Sequence, residues 1–86
     1  MNILVCNLSL NIISNDLRQL FAEYGEVSFV VVVRDKKNGR STGTAFVEMP
    51  QEANAEQAIV ALHQRELDGK QISVQQIGYK AGEFNN

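Results

Sequence analysis

The chain has 86 residues, 44% of them hydrophobic and 21% charged, which is typical of one globular domain and too short for two. A domain of this size buries only roughly 60–65% of the surface of its unfolded chain, so a bulky buried cofactor would displace much of its core. The net charge of −2 argues against tight, non-specific binding of nucleic acid, although positions 34–40 carry four of the eight lysine and arginine residues.

The first half of the chain predicts a strand, a helix and a second strand. Residues 3–6 are a short apolar run that is typical of a buried strand. After it, apolar residues recur at the spacing of one helical face, at Leu17, Leu20, Phe21 and Tyr24. Ser14 is predicted to cap the start of this helix, and Gly25 is predicted to end it. Residues 27–33 are rich in β-branched side chains and predict the second strand.

The second half predicts a loop, a strand, a helix and a last strand. Residues 35–43 form a basic loop with an Asn-Gly turn signal, and residues 44–49 alternate as a strand does. A second helix after Pro50 has an apolar face made by Ala55, Ala58, Ile59 and Leu62. An Asp-Gly turn then leads to the last strand, around Ile72 and Val74. Residues 79–86 are polar and aperiodic, and they are predicted to be a disordered tail.

This order of elements, βαββαβ, predicts an α+β fold of the ferredoxin-like type over residues 1–78. Four strands form one antiparallel sheet, both helices cover one of its faces, and the other face is open. Strand alternation turns Ile3 and Val5 toward the helices and Leu4 and Cys6 toward the open face. In the third strand, the same alternation turns Thr44, Phe46 and Glu48 toward the open face.

Two short motifs lie on the strands at the centre of this predicted sheet. Residues 3–8 read ILVCNL, and residues 42–49 read TGTAFVEM. They resemble the two signatures of the RNA-recognition-motif (RRM) family, the longer of which is K/R-G-F/Y-G/A-F-V-x-F/Y. The resemblance extends over residues 2–77, and the chain is most similar to the short single-RRM proteins of bacteria. It implies a module that binds single-stranded RNA.

The resemblance also implies where RNA binds. In the family, bases stack on aromatic side chains of the open sheet face. The corresponding positions here are Leu4, Thr44 and Phe46, of which Phe46 alone is aromatic and is expected to be exposed. Each missing aromatic costs about 1–3 kcal/mol of stacking. We therefore expect weak RNA binding of low specificity.

Polar and charged residues around this face are further candidates for RNA contacts. Four basic residues in or beside the loop are candidates for phosphate contacts, or else they only keep the loop solvated: Arg34, Lys36, Lys37 and Arg40. Gln71, Ser73 and Gln75 point outward by alternation, where they either bond to base edges or are merely polar residues of an exposed face. Glu48 either biases recognition toward a base amino group or weakens binding by repelling phosphate.

The second strand suggests an alternative function. Residues 29–33 are all apolar, whereas a half-exposed strand should alternate. If Val30 and Val32 face the helices, Val31 and Val33 lie on the open face beside Leu4 and Phe46. Such an apolar patch is typical of a partner surface. A homodimer or a protein partner bound to the valine-rich face is therefore the alternative to RNA.

Other kinds of function are disfavoured by what the sequence lacks. Cys6 is the one cysteine, so an internal disulfide is impossible and no metal site is expected. Acylphosphatases have the same topology, but they need an arginine in the loop after the first strand, and residues 7–15 contain no basic residue. We predict no enzymatic activity and no cofactor. Neither a leader nor a membrane span is expected, which predicts a cytoplasmic protein.

Overall fold

The structure, a computed structural model, describes residues 1–78 and contains one main sheet, two helices and a small hairpin. The predicted tail, residues 79–86, lies outside the described residues. In chain order the elements are β1 (Asn2–Cys6), α1 (Ser14–Ala22), β2 (Phe29–Arg34), β3 (Ser41–Glu48), α2 (Glu52–Leu62), β4 (Glu66–Leu67), β5 (Lys70–Gln71) and β6 (Ser73–Ile77). The predicted βαββαβ order is confirmed, with the β4–β5 hairpin as an addition.

The main sheet has the strand order β2-β3-β1-β6, and all its neighbouring strands are antiparallel. The two strands that carry the motif-like segments, β1 and β3, are therefore the central pair. Ile3 lies opposite Val47, and Val5 lies opposite Ala45. This register brings the apolar residues of both strands to the same face, where the helices cover them.

The core lies between this face and the two helices. From the sheet it takes alternate residues of β1 and β3, as the period of two in a strand requires. From α1 it takes Leu17 and Phe21, which are both fully buried. From α2 it takes Ala55, Ala58 and Leu62. Since both helices pack on one sheet face, the ferredoxin-like α+β prediction is confirmed.

The first helix begins one residue earlier than predicted. Ile13, with extended backbone angles, is its N-cap, and Ser14 is already helical, so the prediction of Ser14 as the cap was wrong. The carboxylate of Asp16 accepts a hydrogen bond from the backbone N–H of Ile13 at 3.0 Å. A carboxylate in the first turn also interacts favourably with the helix dipole. Asp16 thus satisfies the backbone N–H of the N-cap residue itself, which is a different donor from the one predicted for the serine hydroxyl.

The hairpin of β2 and β3 is longer than the sequence predicted. β3 begins at Ser41, which pairs with Arg34, and a register shift separates that pair from the pair of Val32 and Ala45. The hydroxyl of Thr42 donates to the carbonyl of Val33 at 3.0 Å across the irregular part. Gly43 continues the strand because its backbone N–H donates to the hydroxyl of Ser41 at 3.1 Å and its carbonyl accepts from the backbone N–H of Leu8 at 2.9 Å.

The side chain of His63, the residue that follows α2, protects the outer edge of the sheet. β6 is an edge strand, and the backbone N–H of Val74 donates to Nδ1 of His63 at 3.0 Å. We expect His63→Ala to lower the free energy of unfolding by about 1 kcal/mol, because this donor loses its acceptor. Thermal unfolding followed by circular dichroism should show a midpoint lower by roughly 4–8 °C. Gln57→Ala, at an exposed position of the same helix, is the control, and an equal midpoint for both variants would contradict this role.

Candidate functional site

The face of the sheet away from the helices carries a row of side chains that crosses all four strands. Val31 lies opposite Phe46, Phe46 opposite Leu4, and Leu4 opposite Gln75. With neighbouring strands about 4.8 Å apart, this central row spans roughly 14 Å. Leu4 and Val31 are half-buried, and Gln75 is exposed. The row thus offers apolar contact at its centre and a hydrogen-bonding amide at its end.

Phe46 lies on the open face as predicted, but the prediction that it is exposed was wrong. Its neighbours along β3, Ala45 and Val47, belong to the core beneath the helices, so the ring lies on the opposite face. The residue is nevertheless only 3% exposed. Leu4 and Val31 flank it on both sides, as opposite residues of neighbouring strands do at Cβ separations of about 4.5–5.5 Å. A base can stack on this ring only after side chains around it move.

A cavity of about 510 Å³ lies where the basic loop meets the sheet. Three of the predicted basic residues line it, together with Val33 and Thr44, whereas Arg40 is not among the lining residues. The full lining is Val33, Arg34, Asp35, Lys36, Lys37, Thr42 and Thr44. Because Thr44 also lies on the open face, the sheet and the loop form one continuous surface.

The loop between β2 and β3 is shaped by Asp35. Its carboxylate accepts hydrogen bonds from the backbone N–H groups of Lys37 at 2.8 Å and Asn38 at 3.2 Å. The guanidinium of Arg34 donates to the carbonyl of Gly39 at 3.2 Å. Lys36, Lys37 and Arg40 are exposed. These internal bonds hold the turn in one shape and leave three cations accessible to an anion.

A second cavity, of about 580 Å³, has the opposite charge and lies beside α1 and the β4–β5 hairpin. Asp16, Glu23 and Asp68 line it, with Leu20 and Leu67 among its apolar residues. Three carboxylates repel phosphate groups. The distribution of charge therefore favours the loop side of the sheet, and not the helix side, as the place where a polyanion binds.

A further row of the open face contains an aromatic residue that the motifs did not identify. Phe29 lies opposite Glu48, and Glu48 lies opposite Asn2. Phe29 is 44% exposed, the most of any aromatic residue between positions 1 and 78. The alternation that predicts outward positions for Val31 and Val33 also predicts one for Phe29, two residues nearer the start of the strand. Val31 and Val33 themselves are half-buried.

The remaining candidates lie on the edge strand and on β1. Ser73 and Gln75 lie on the open face as predicted, because their neighbours Ile72 and Val74 are in the core. Cys6, a free half-buried thiol, lies opposite Ser73. Within residues 1–78, no group of three or more histidine, cysteine, aspartate or glutamate side chains is arranged to hold a metal ion. In the same range, neither helix is long and apolar enough to cross a membrane.

Comparison with protein families and curated proteins supports the resemblance seen in the two motifs. The family model described as RNA recognition motif matches residues 3–73. A putative RNA-binding protein of Nostoc sp., RbpD, is 45% identical over 86% of this chain and 79% of its own length. Glycine-rich RNA-binding protein 1 of Mycosarcoma maydis is 41% identical over 81% of this chain. The chain spans only 40% of that relative's length.

Solved structures agree with the architecture. The crystal structure of RNA binding protein PG1 superimposes with a TM-score of 0.91, at 38% identity, over 93% of this chain and 96% of that one. A complex of Sxl-lethal protein with RNA superimposes with a TM-score of 0.81, at 34% identity, over 86% of this chain and 46% of that one. Both proteins share the sheet and the two helices described above.

Proposed function

Because the chain belongs to the RNA-recognition-motif family, we propose that it binds single-stranded RNA across the open face of its sheet. The observation that carries the proposal is the position of Thr44, which lies on the open face and also lines the basic cavity. A strand whose bases lie on the central row can therefore continue with its phosphates beside Lys36 and Lys37. Base contacts and phosphate contacts are both needed for a single-stranded ligand.

The comparisons support RNA as the ligand in general terms. RbpD and the glycine-rich relative are named as RNA-binding proteins, and the Sxl-lethal structure contains RNA. The family also indicates a binding module and not an enzyme. The proposal for this chain adds the residues that make the contacts: Leu4, Thr44 and Phe46 on the sheet, the loop cations Arg34, Lys36, Lys37 and Arg40, and Ser73 and Gln75 at the edge.

We expect the affinity to be modest. Two of the family's aromatic positions are occupied by Leu4 and Thr44. The absence of two aromatic rings costs about 2–6 kcal/mol of binding free energy, at about 1–3 kcal/mol per stacked base. The third, Phe46, is 3% exposed, so side chains around it must change rotamer before a base reaches its face. Apolar contact with Leu4 and Val31 recovers part of this cost. Micromolar or weaker binding is the expected result, with low specificity at these three positions of the family.

Titration of the ¹⁵N-labelled protein with an eight-nucleotide RNA of mixed sequence, followed by NMR, tests the proposal. We expect chemical-shift changes at Leu4, Thr44, Gln75 and Lys36, where the strand crosses the sheet and reaches the loop. Val60, which is 82% exposed on α2, serves as the internal control and should not shift. The same RNA annealed to its complement should give smaller changes, because a duplex cannot lay its bases on the sheet.

Absence of shifts on the sheet at millimolar RNA, or changes confined to the helices, would overturn this assignment.

The alternative of a homodimer or a protein partner on Val31 and Val33 stays a prediction, as does a cytoplasmic location. The half-buried state of both valines and the burial of Phe46 leave a smaller apolar patch than the sequence predicted. RNA is preferred over this alternative because the family model and the relatives named as RNA-binding proteins support it.

A further inference from the structure

We infer that Phe29, Glu48 and Asn2 form a separate binding site for one nucleobase, with a preference for guanine. The inference rests on the proposed function, because the base belongs to an RNA strand bound on the same sheet face. It concerns three residues that lie outside the family's aromatic positions. The juxtaposition that carries it is an exposed ring directly opposite a carboxylate, with an amide on the other side of that carboxylate.

The ring of Phe29 has the accessibility that a stacking platform needs. It is 44% exposed, whereas Phe46 is 3% exposed. It starts β2 at the edge of the sheet, and the residues that follow it on the core side are Val30 and Val32. Its outward position is therefore imposed by the packing of its own strand. A large apolar ring that stays open at this position can receive the face of a base without any rearrangement of the core.

The carboxylate beside the ring is held in place. Glu48 is half-buried, and opposite residues of neighbouring strands have Cβ atoms about 4.5–5.5 Å apart, so its side chain is next to those of Phe29 and Asn2. The hydroxyl of Ser28 lies 3.2 Å from the backbone carbonyl oxygen of Glu48 and 3.3 Å from its Oε1, and its one proton is shared between these two acceptors. Because a carboxylate accepts about four hydrogen bonds, this contact orients the group and leaves capacity for a ligand.

Guanine is the base whose edge matches this carboxylate. Its Watson–Crick edge presents two neighbouring donors, N1–H and the N2 amino group, and two carboxylate oxygens can accept both. Cytosine and adenine present one amino donor beside a ring nitrogen that accepts, and uracil presents one N–H between two carbonyls. Each of those acceptors would face the negative charge of Glu48. The amide of Asn2, on the strand at the other side of Glu48, supplies both a donor and an acceptor, and its donor is of the kind that the guanine carbonyl O6 needs.

The test measures dissociation constants by fluorescence anisotropy with four eight-nucleotide RNAs. One is all uracil, and the others carry a single guanine, adenine or cytosine at the same internal position. For the unmodified protein we expect the guanine RNA to bind roughly 5- to 150-fold more tightly than the all-uracil RNA. Glu48→Gln, which removes the charge but keeps the shape, should abolish most of that preference. Phe29→Ala should weaken the binding of the guanine RNA by roughly 5- to 150-fold.

Val60→Ala, at an exposed apolar position on α2, is the matched control and should change none of these constants. Thermal unfolding of each variant confirms that it is folded. Equal affinity of the unmodified protein for all four RNAs, or an unchanged preference in Glu48→Gln, would overturn the guanine site and leave the proposed function standing. Failure to bind any of the four RNAs would overturn both.

Discussion

Replacing Leu4 with phenylalanine is expected to tighten RNA binding by roughly 5- to 150-fold. Leu4 occupies the position at which the family places a stacking aromatic, and one stacked base contributes about 1–3 kcal/mol. The side chain is half-buried on the open face, next to Phe46 and Gln75, so a ring there projects toward the ligand and does not overpack the core. The measurement is the dissociation constant for a mixed-sequence eight-nucleotide RNA.

The matched control for this gain of affinity is Val60→Phe. It adds the same kind of ring at a position that is 82% exposed on α2, away from the sheet face. If an added exposed ring strengthens RNA binding by non-specific contact, both variants should bind more tightly. If the ring acts by stacking on the sheet, only Leu4→Phe should. An unchanged dissociation constant for Leu4→Phe in a folded protein would show that the bases do not cross β1.

The double variant Lys36→Ala/Lys37→Ala is expected to weaken RNA binding by about 10-fold near 0.15 M salt. Both lysines line the cavity beside Thr44, and we propose that a bound strand leaves the sheet there. For single-stranded nucleic acid, each neutralised phosphate contributes a slope of about −0.7 in a plot of log affinity against log salt. Loss of two such contacts should therefore make the slope shallower by about 1.4.

Arg65→Ala/Lys70→Ala is the control with the same change in net charge. Both residues are exposed and lie in or beside the β4–β5 hairpin, outside the open face. If the loop lysines act by direct phosphate contact, this control keeps the slope of the unmodified protein. Equal slopes for the two double variants would mean that the overall charge, and not the loop, attracts the RNA.

The arrangement of charge explains how an acidic protein can bind RNA. The net charge is −2, yet the cations of the β2–β3 loop lie beside the sheet face, while Asp16, Glu23 and Asp68 line the cavity next to α1. Salt screens charges beyond roughly 8–10 Å, so the local field at the loop matters more than the sum over the chain. This separation should orient the RNA and disfavour binding on the helix side.

The order of the elements and the two faces of the sheet could be predicted from residue spacing. The period of two in β1 and β3 placed Ile3, Val5, Ala45 and Val47 beneath the helices, and the structure confirms each of them. This prediction worked because one buried face constrains every second residue of a strand, and a slip by one residue would expose the whole apolar set. The two motifs and the glycine-containing turns also predicted the order in which the strands and helices follow one another, βαββαβ, and this order is correct.

The exposure and the neighbours of the candidate site residues could not be predicted from residue spacing, because they depend on contacts between distant segments of the chain. Alternation gives the face of Phe46 but not its exposure, which depends on Leu4 and Val31 in neighbouring strands. In the same way, Glu48 meets Phe29 only because antiparallel pairing joins residues far apart in the chain. A one-dimensional pattern determined which side each residue takes, because backbone geometry repeats locally. Which side chains cover, flank or orient one another was decided by the tertiary structure, since that depends on strand register and side-chain size.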